Sequence, residues 1–186
     1  MNVTNRYREL LEYLVEPKTS SHVGDKTICY LTFELDEILN VKRHLKSTWV
    51  SLAKNKGFNP VVLSLHEVTK TFFQADDYRI DAGEDAVDDK SEMLEVYDSL
   101  GNNLDQQRII DKAILAVQER LGDDGLLLIT DLEALHPFSR FGPIEQRLYS
   151  AIDKPIVVFY PGARSGSALR FLSIYPEDGN YRSKHF

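Results

Sequence analysis

Two stretches, GLLLITD (125–131) and PIVVFYP (155–161), run apolar through almost every position. A strand with one face in water alternates apolar and polar side chains. A continuous apolar run is covered on both faces, which points to the interior of a parallel sheet with helices on either side. Two shorter runs fit beside them: TICYLTF (27–33), rich in β-branched and aromatic residues, and VVLSL (61–65) behind Pro60. Helical spacing fills the intervals. Tyr7, Leu10, Leu11 and Leu14 share a face, and Pro17 ends that segment. In ELDEILNVKRHLKSTWVSLAKNKG, Leu35, Ile38, Leu45, Trp49 and Leu52 fall near one face, with Gly57 as the stop. Val68, Phe72 and Phe73 mark another helix. Ile110, Ala113, Ile114, Val117 and Leu121 mark a further one, and a last follows Pro143. Strands alternating with helices give an α/β fold, a single-domain three-layer sandwich over residues 1–186. The sheet is expected to be mostly parallel and Rossmann-like or P-loop-NTPase-like, with helices on both faces.

The end of the chain departs from that alternation. Only PGARSGSA separates VVFYP from LRFLSIYP, too short for a parallel crossover, so the final strand is expected to be antiparallel, at the sheet edge, in a hairpin. Charge is also uneven. The net charge is −7, yet residues 76–124 carry 15 acidic against 5 basic residues and residues 136–186 carry 7 basic against 4 acidic. The overall sign argues against unaided coating of DNA. The acidic stretch includes RIDAGEDAVDDKSE, which has little to bury and is expected to be flexible around 80–92. No apolar run has the length of a membrane span, the start lacks a signal-peptide core, and Cys29 has no second cysteine to pair with. A cytoplasmic protein is the expectation.

Ligands of open parallel sheets collect beyond the carboxyl ends of the strands. Those positions here are Glu34, His66, Glu67, Asp131, Glu133, Tyr160, Pro161 and Gly162. A buried strand running into Asp131 with Glu133 just beyond resembles the Walker-B segment of an ATPase. That chemistry needs a phosphate-binding loop of the form G-x-x-x-x-G-K-[ST], and the first strand runs instead into acidic FELDEILN. A triphosphate would meet Glu34, Asp36 and Glu37. Asp131 and Glu133 therefore stand as the site of an alternative magnesium-dependent nucleotide- or nucleic-acid-processing enzyme, with a turn or cap aspartate the simpler reading. GARSGSA lacks the lysine and precedes a strand, so it reads as a hairpin turn. The five histidines show no metal-ligand spacing, and no G-x-S-x-G elbow is present. No cofactor and no metal are expected.

Two stretches carry a family resemblance: GLLLITDLEALHPFSRFGPIEQRL and PIVVFYPGARSGSALRFLSIYPEDGNYRSKHF. They contain Tyr160-Pro161-Gly162 at a strand end, a basic residue two positions on (Arg164), an arginine-led hydrophobic strand (Arg170-Phe171-Leu172), and a closing Asp178-Gly179-Asn180-Tyr181. In these the chain resembles the BrxB family, small core proteins of bacteriophage exclusion (BREX) phage-defence systems. The resemblance implies a non-catalytic assembly or adaptor component working beside a methyltransferase, an ATPase and PglZ, a protein with an alkaline-phosphatase-like domain. The partners it implies are other BREX proteins, PglZ first, with DNA met only indirectly or within the complex. Arg164, Arg170, Tyr175, Tyr181 and Arg182 are the candidate partner-binding residues, since arginines and tyrosines suit an interface.

Overall fold

The computed structural model describes residues 2–16, 28–74, 106–136, 141–165, 168–175, 178–179 and 183–186. The acidic segment 80–92, Tyr181 and Arg182 lie outside the described residues. The chain opens with α1 (Val3–Val15), whose N-cap Asn2 accepts the backbone N–H of Thr4 at 2.7 Å. Strand β1 (Ile28–Phe33) follows, then a 3-10 turn (Leu35–Glu37), α2 (Ile38–His44), a π turn (Leu45–Trp49) and α3 (Val50–Asn55). Next come β2 (Asn59–Ser64), α4 (Leu65–Gln74), α5 (Gln106–Gln118) and β3 (Gly125–Thr130). A second 3-10 turn (Leu132–Leu135), α6 (Phe141–Ala151), β4 (Ile156–Ser165), β5 (Ala168–Phe171) and the two-residue strands β6 (Asp178–Gly179) and β7 (Lys184–His185) complete the order.

The sheet runs β2-β3-β4-β1-β7, and every neighbouring pair along that path is parallel. This is the mostly parallel sheet that the continuous apolar runs demand: β1 and β3 are buried at all six positions. Successive side chains alternate between two cores. Cys29, Leu31, Phe33, Leu126, Leu128, Val157 and Phe159 face α1, α2 and α3. Tyr30, Val61, Leu63, Leu127, Ile129, Val158 and Tyr160 face α4, α5 and α6. The three-layer sandwich is thus drawn residue by residue.

The helix after β1 buries Val41, Leu45, Trp49 and Ala53, a strict four-residue spacing. An α-helix at 3.6 residues per turn would drift off that line; the wider π turn absorbs the drift and keeps Trp49 on the sheet. Leu35, expected on the buried face, is instead exposed.

The antiparallel C-terminal strand expected from the sequence is present as β5, hung from the outer half of β4 beyond the parallel sheet. LRFLSIYP is not a strand throughout. It stops at Phe171, because Leu172 (φ 51°) and Ser173 (φ 57°) both turn left-handed. The chain then returns, and β7 lies parallel against β1, with Cys29 opposite Lys184 and Tyr30 opposite His185. The N–H of Phe186 donates to the Tyr30 carbonyl at 2.8 Å, and the N–H of Thr32 donates to the Phe186 carbonyl at 3.2 Å.

Candidate functional site

The structure brings Asp131 and Glu133 together at the carboxyl end of β3 and places a lysine between them. Lys42, from α2, holds Asp131 Oδ1 at 2.7 Å and Glu133 Oε1 at 2.6 Å. Ser64, the last residue of β2, donates its hydroxyl to Asp131 Oδ2 at 2.5 Å and in turn accepts the N–H of Glu67 at 3.3 Å. Both Asp131 oxygens are therefore engaged, and its side chain is only 12% exposed. Burial of the Lys42 ammonium works against its charge, but hydrogen bonds to Asp131 and Glu133, and the charges behind them, outweigh it and hold the Lys42 pKa above 10.5. Asp131 itself sits at φ 63°, ψ 40° in the N-cap place of the 3-10 turn, without capping it. A left-handed, non-glycine residue is uncommon; aspartate tolerates the conformation better than most. The carboxylate is thus turned back across the strand ends to Ser64 and Lys42. Sequence reasoning found the two acids from their strand-end position and missed Lys42 and Ser64, which come from a different helix and strand.

At the end of β1, where a phosphate-binding loop would begin, the chain is closed by its own acid. The N–H of Glu34 donates to Glu37 Oε2 at 3.4 Å, and the N–H of Glu37 donates to the Glu34 carbonyl at 3.0 Å. His66 and Glu67 form an exposed contact of 3.4 Å at the end of β2, the sort of surface pair that contributes little. Among the described residues, no group of three or more His, Cys, Asp or Glu converges as metal ligands, and no helix is long and apolar enough to cross a membrane.

The Tyr160-Pro161-Gly162 turn has a backbone reason for its glycine. Gly162 sits at φ +146° opposite Phe171, and a Cβ there would lie 2.2 Å from the Arg170 carbonyl oxygen. The N–H of Leu172 donates to the Pro161 carbonyl at 2.9 Å, so the two strands close tightly around this point. Arg164 pairs with Leu169 and Arg170 with Ala163. Cross-strand partners share a face and neighbours alternate, so the two exposed arginines leave opposite faces of the ribbon. Tyr175 is half-buried, its ring 4.7 Å edge-on from His136 and its hydroxyl hydrogen-bonded to His136 Nε2. It also packs 6.1 Å from Phe171, which meets Tyr160 at 5.5 Å.

Beside the hairpin, at the carboxyl ends of β1 and β4, lies a cavity of about 290 Å³. Arg6, Glu34 and Arg164 line it, together with Thr32, Phe33 and Phe186. Arg6 approaches Glu37 at 3.9 Å, while its Nε is buried without a hydrogen-bond acceptor among the described residues. Nothing in the sequence pairs Arg6 with Arg164, because α1 and the hairpin meet only through the fold.

No curated protein and no solved structure matches the chain. The family model described as BREX protein BrxB matches residues 61–186, which is 126 of the 186 residues and spans β2 through β7. That segment holds the Tyr-Pro-Gly turn, the arginine-bearing hairpin and the Asp131–Glu133 strand end. The chain belongs to the BrxB family and is a component of a BREX phage-defence system.

Proposed function

We propose that the protein is a non-catalytic assembly component, an adaptor that binds other BREX proteins and PglZ among them. The observation that carries this reading is the Lys42–Asp131–Glu133–Ser64 cluster. Those are the carboxylates a magnesium-dependent enzyme would use, and an internal ammonium and hydroxyl already engage them. The self-capped acidic turn after β1 supports the same view, since it offers a triphosphate negative charge instead of open backbone amides.

The docking surface in this reading is the β4–β5 hairpin and the segment after it, with Arg164, Arg170, Tyr175, Tyr181 and Arg182. Because Arg164 and Arg170 leave opposite faces, a partner gripping both straddles the ribbon. Arginine suits such a place through its planar, bidentate pairing with carboxylates. The test replaces Arg164, Arg170 and Arg182 with Glu and follows PglZ capture beside DNA retention. Loss of PglZ capture with the fold intact is expected. Undiminished capture rejects the surface, and loss of a salt-sensitive DNA complex instead marks these arginines as phosphate contacts. Calorimetry with Mg-ATP is expected to show no binding; micromolar affinity would restore the enzyme reading.

A further inference from the structure

We infer that the cavity between Arg6 and Arg164 is a carboxylate-binding pocket that receives an acidic side chain of a partner polypeptide. Position is the first reason. The cavity lies outside the carboxyl ends of β1 and β4. Open α/β sheets take their ligands outside the carboxyl ends of their strands. Unmet bonding is the second. Arg6 lines the cavity, and its guanidinium meets Glu37 only at 3.9 Å, beyond hydrogen-bond length. Arg164 adds a second guanidinium to the lining.

The chemistry of the lining selects the class of ligand. Its volume of about 290 Å³ sits at the bottom of the range for small-molecule pockets, enough for a side chain and too small for a nucleotide. Glu34 lines the same space and Glu37 stands 3.9 Å from Arg6, so a dianion meets more repulsion here than a monoanion does. A planar carboxylate can take two parallel N–H bonds from a guanidinium. The source as a protein side chain rests on the adaptor reading above: Gly162 and Arg164 belong at once to the cavity and to the hairpin, so a partner straddling the hairpin reaches the pocket without a further surface.

The experiment titrates the intact ¹⁵N-labelled protein with N-acetylglutamate α-amide, whose only charge is the side-chain carboxylate. N-acetylglutamine α-amide and inorganic phosphate serve as comparisons. Saturable shifts of the Arg6 and Arg164 Nε–H signals and of the Gly162 amide are expected with the glutamate compound, weaker ones with phosphate and none with the glutamine compound. Arg6→Gln is expected to weaken the response about tenfold, and Arg164→Gln, at an exposed position, to do likewise. No saturation, phosphate binding as tight as carboxylate, or an unchanged response in both variants overturns the pocket. PglZ capture by the same variants reads the second half. Capture reduced by Arg6→Gln supports the partner side chain as the natural ligand, and capture unaffected by both variants overturns it. Saturation with no capture by the unmodified protein overturns the adaptor reading and leaves the carboxylate pocket standing.

Discussion

At the scale of single residues, Lys42 and Gly162 carry the most consequence. Replacing Lys42 with Met leaves Asp131 and Glu133 facing each other across the space the ammonium held. More than a third of the Lys42 side chain is exposed, so solvent screens the loss, and about 1 kcal/mol of stability is expected to go. A shift in the urea midpoint checks this, and adding Glu133→Gln to Lys42→Met is expected to recover part of it. Gly162→Ala is expected to cost about 1–3 kcal/mol through φ strain alone, with the hairpin pushed apart besides, since the new methyl meets the Arg170 carbonyl. Loss of the Gly162–Phe171 pairing in amide exchange would report it. The acids of this region were legible in the sequence, because a buried strand ending in Asp marks its own carboxyl end. Their neutralisation was not, because Lys42 stands 89 positions before Asp131 (131 − 42) on a helix whose polar face looks like any solvated surface.

At the scale of elements, the helix after β1 shows where periodicity misleads. Its apolar residues were visible, and Leu45 and Trp49 were rightly assigned to the core. Ile38 and Leu52 pack against the same core, Val41 and Ala53 complete its buried line, and Leu35, in the 3-10 turn before the helix, is exposed. No single residue type announces a π turn. Its reason is tertiary: Trp49 stacks on Tyr7 at 4.9 Å and on Phe159 at 5.6 Å, and its carbonyl accepts the Tyr7 hydroxyl at 3.2 Å. Trp49→Ala is expected to destabilise by about 3–5 kcal/mol, seen in thermal unfolding, because α1, the π turn and β4 all lose a shared contact. Strand β5 teaches the complementary lesson. Leu169-Arg170-Phe171 alternates as a strand should, but Leu172 and Ser173 break it by adopting positive φ without glycine. The sequence offers no warning there, since both residues are ordinary strand or turn formers.

At the scale of the whole molecule, parallel packing with two helical layers followed from strand composition and from the alternation of elements. The outer neighbour of β1 did not. Lys184 and His185 pair there through only a few residues, held by backbone bonds that no side-chain pattern encodes. Burial, and then the nearby charge of Arg164, push the His185 pKa below 6.5. His185 therefore binds its proton more readily unfolded than folded. Its contribution to stability is complete above pH 6.5, starts to fall as pH drops through that value, and goes on falling until the lower folded-state pKa is passed. Urea midpoints measured between pH about 7.5 and about 5 are expected to decline more steeply for the natural chain than for His185→Phe.

The pairing of Ile28 with Ile156 has a bearing on how the protein is made. A chain leaving the ribosome exposes β1 first, and β4, the strand that joins it to β3, emerges 128 positions later (156 − 28). Until then β1 has no lateral partner on its inner side, and β2 and β3 form a separate ribbon. A closure this distant in sequence is slow, and during the wait an apolar strand with two open edges is a natural client for chaperones. Truncation before residue 156 would make that transient condition permanent.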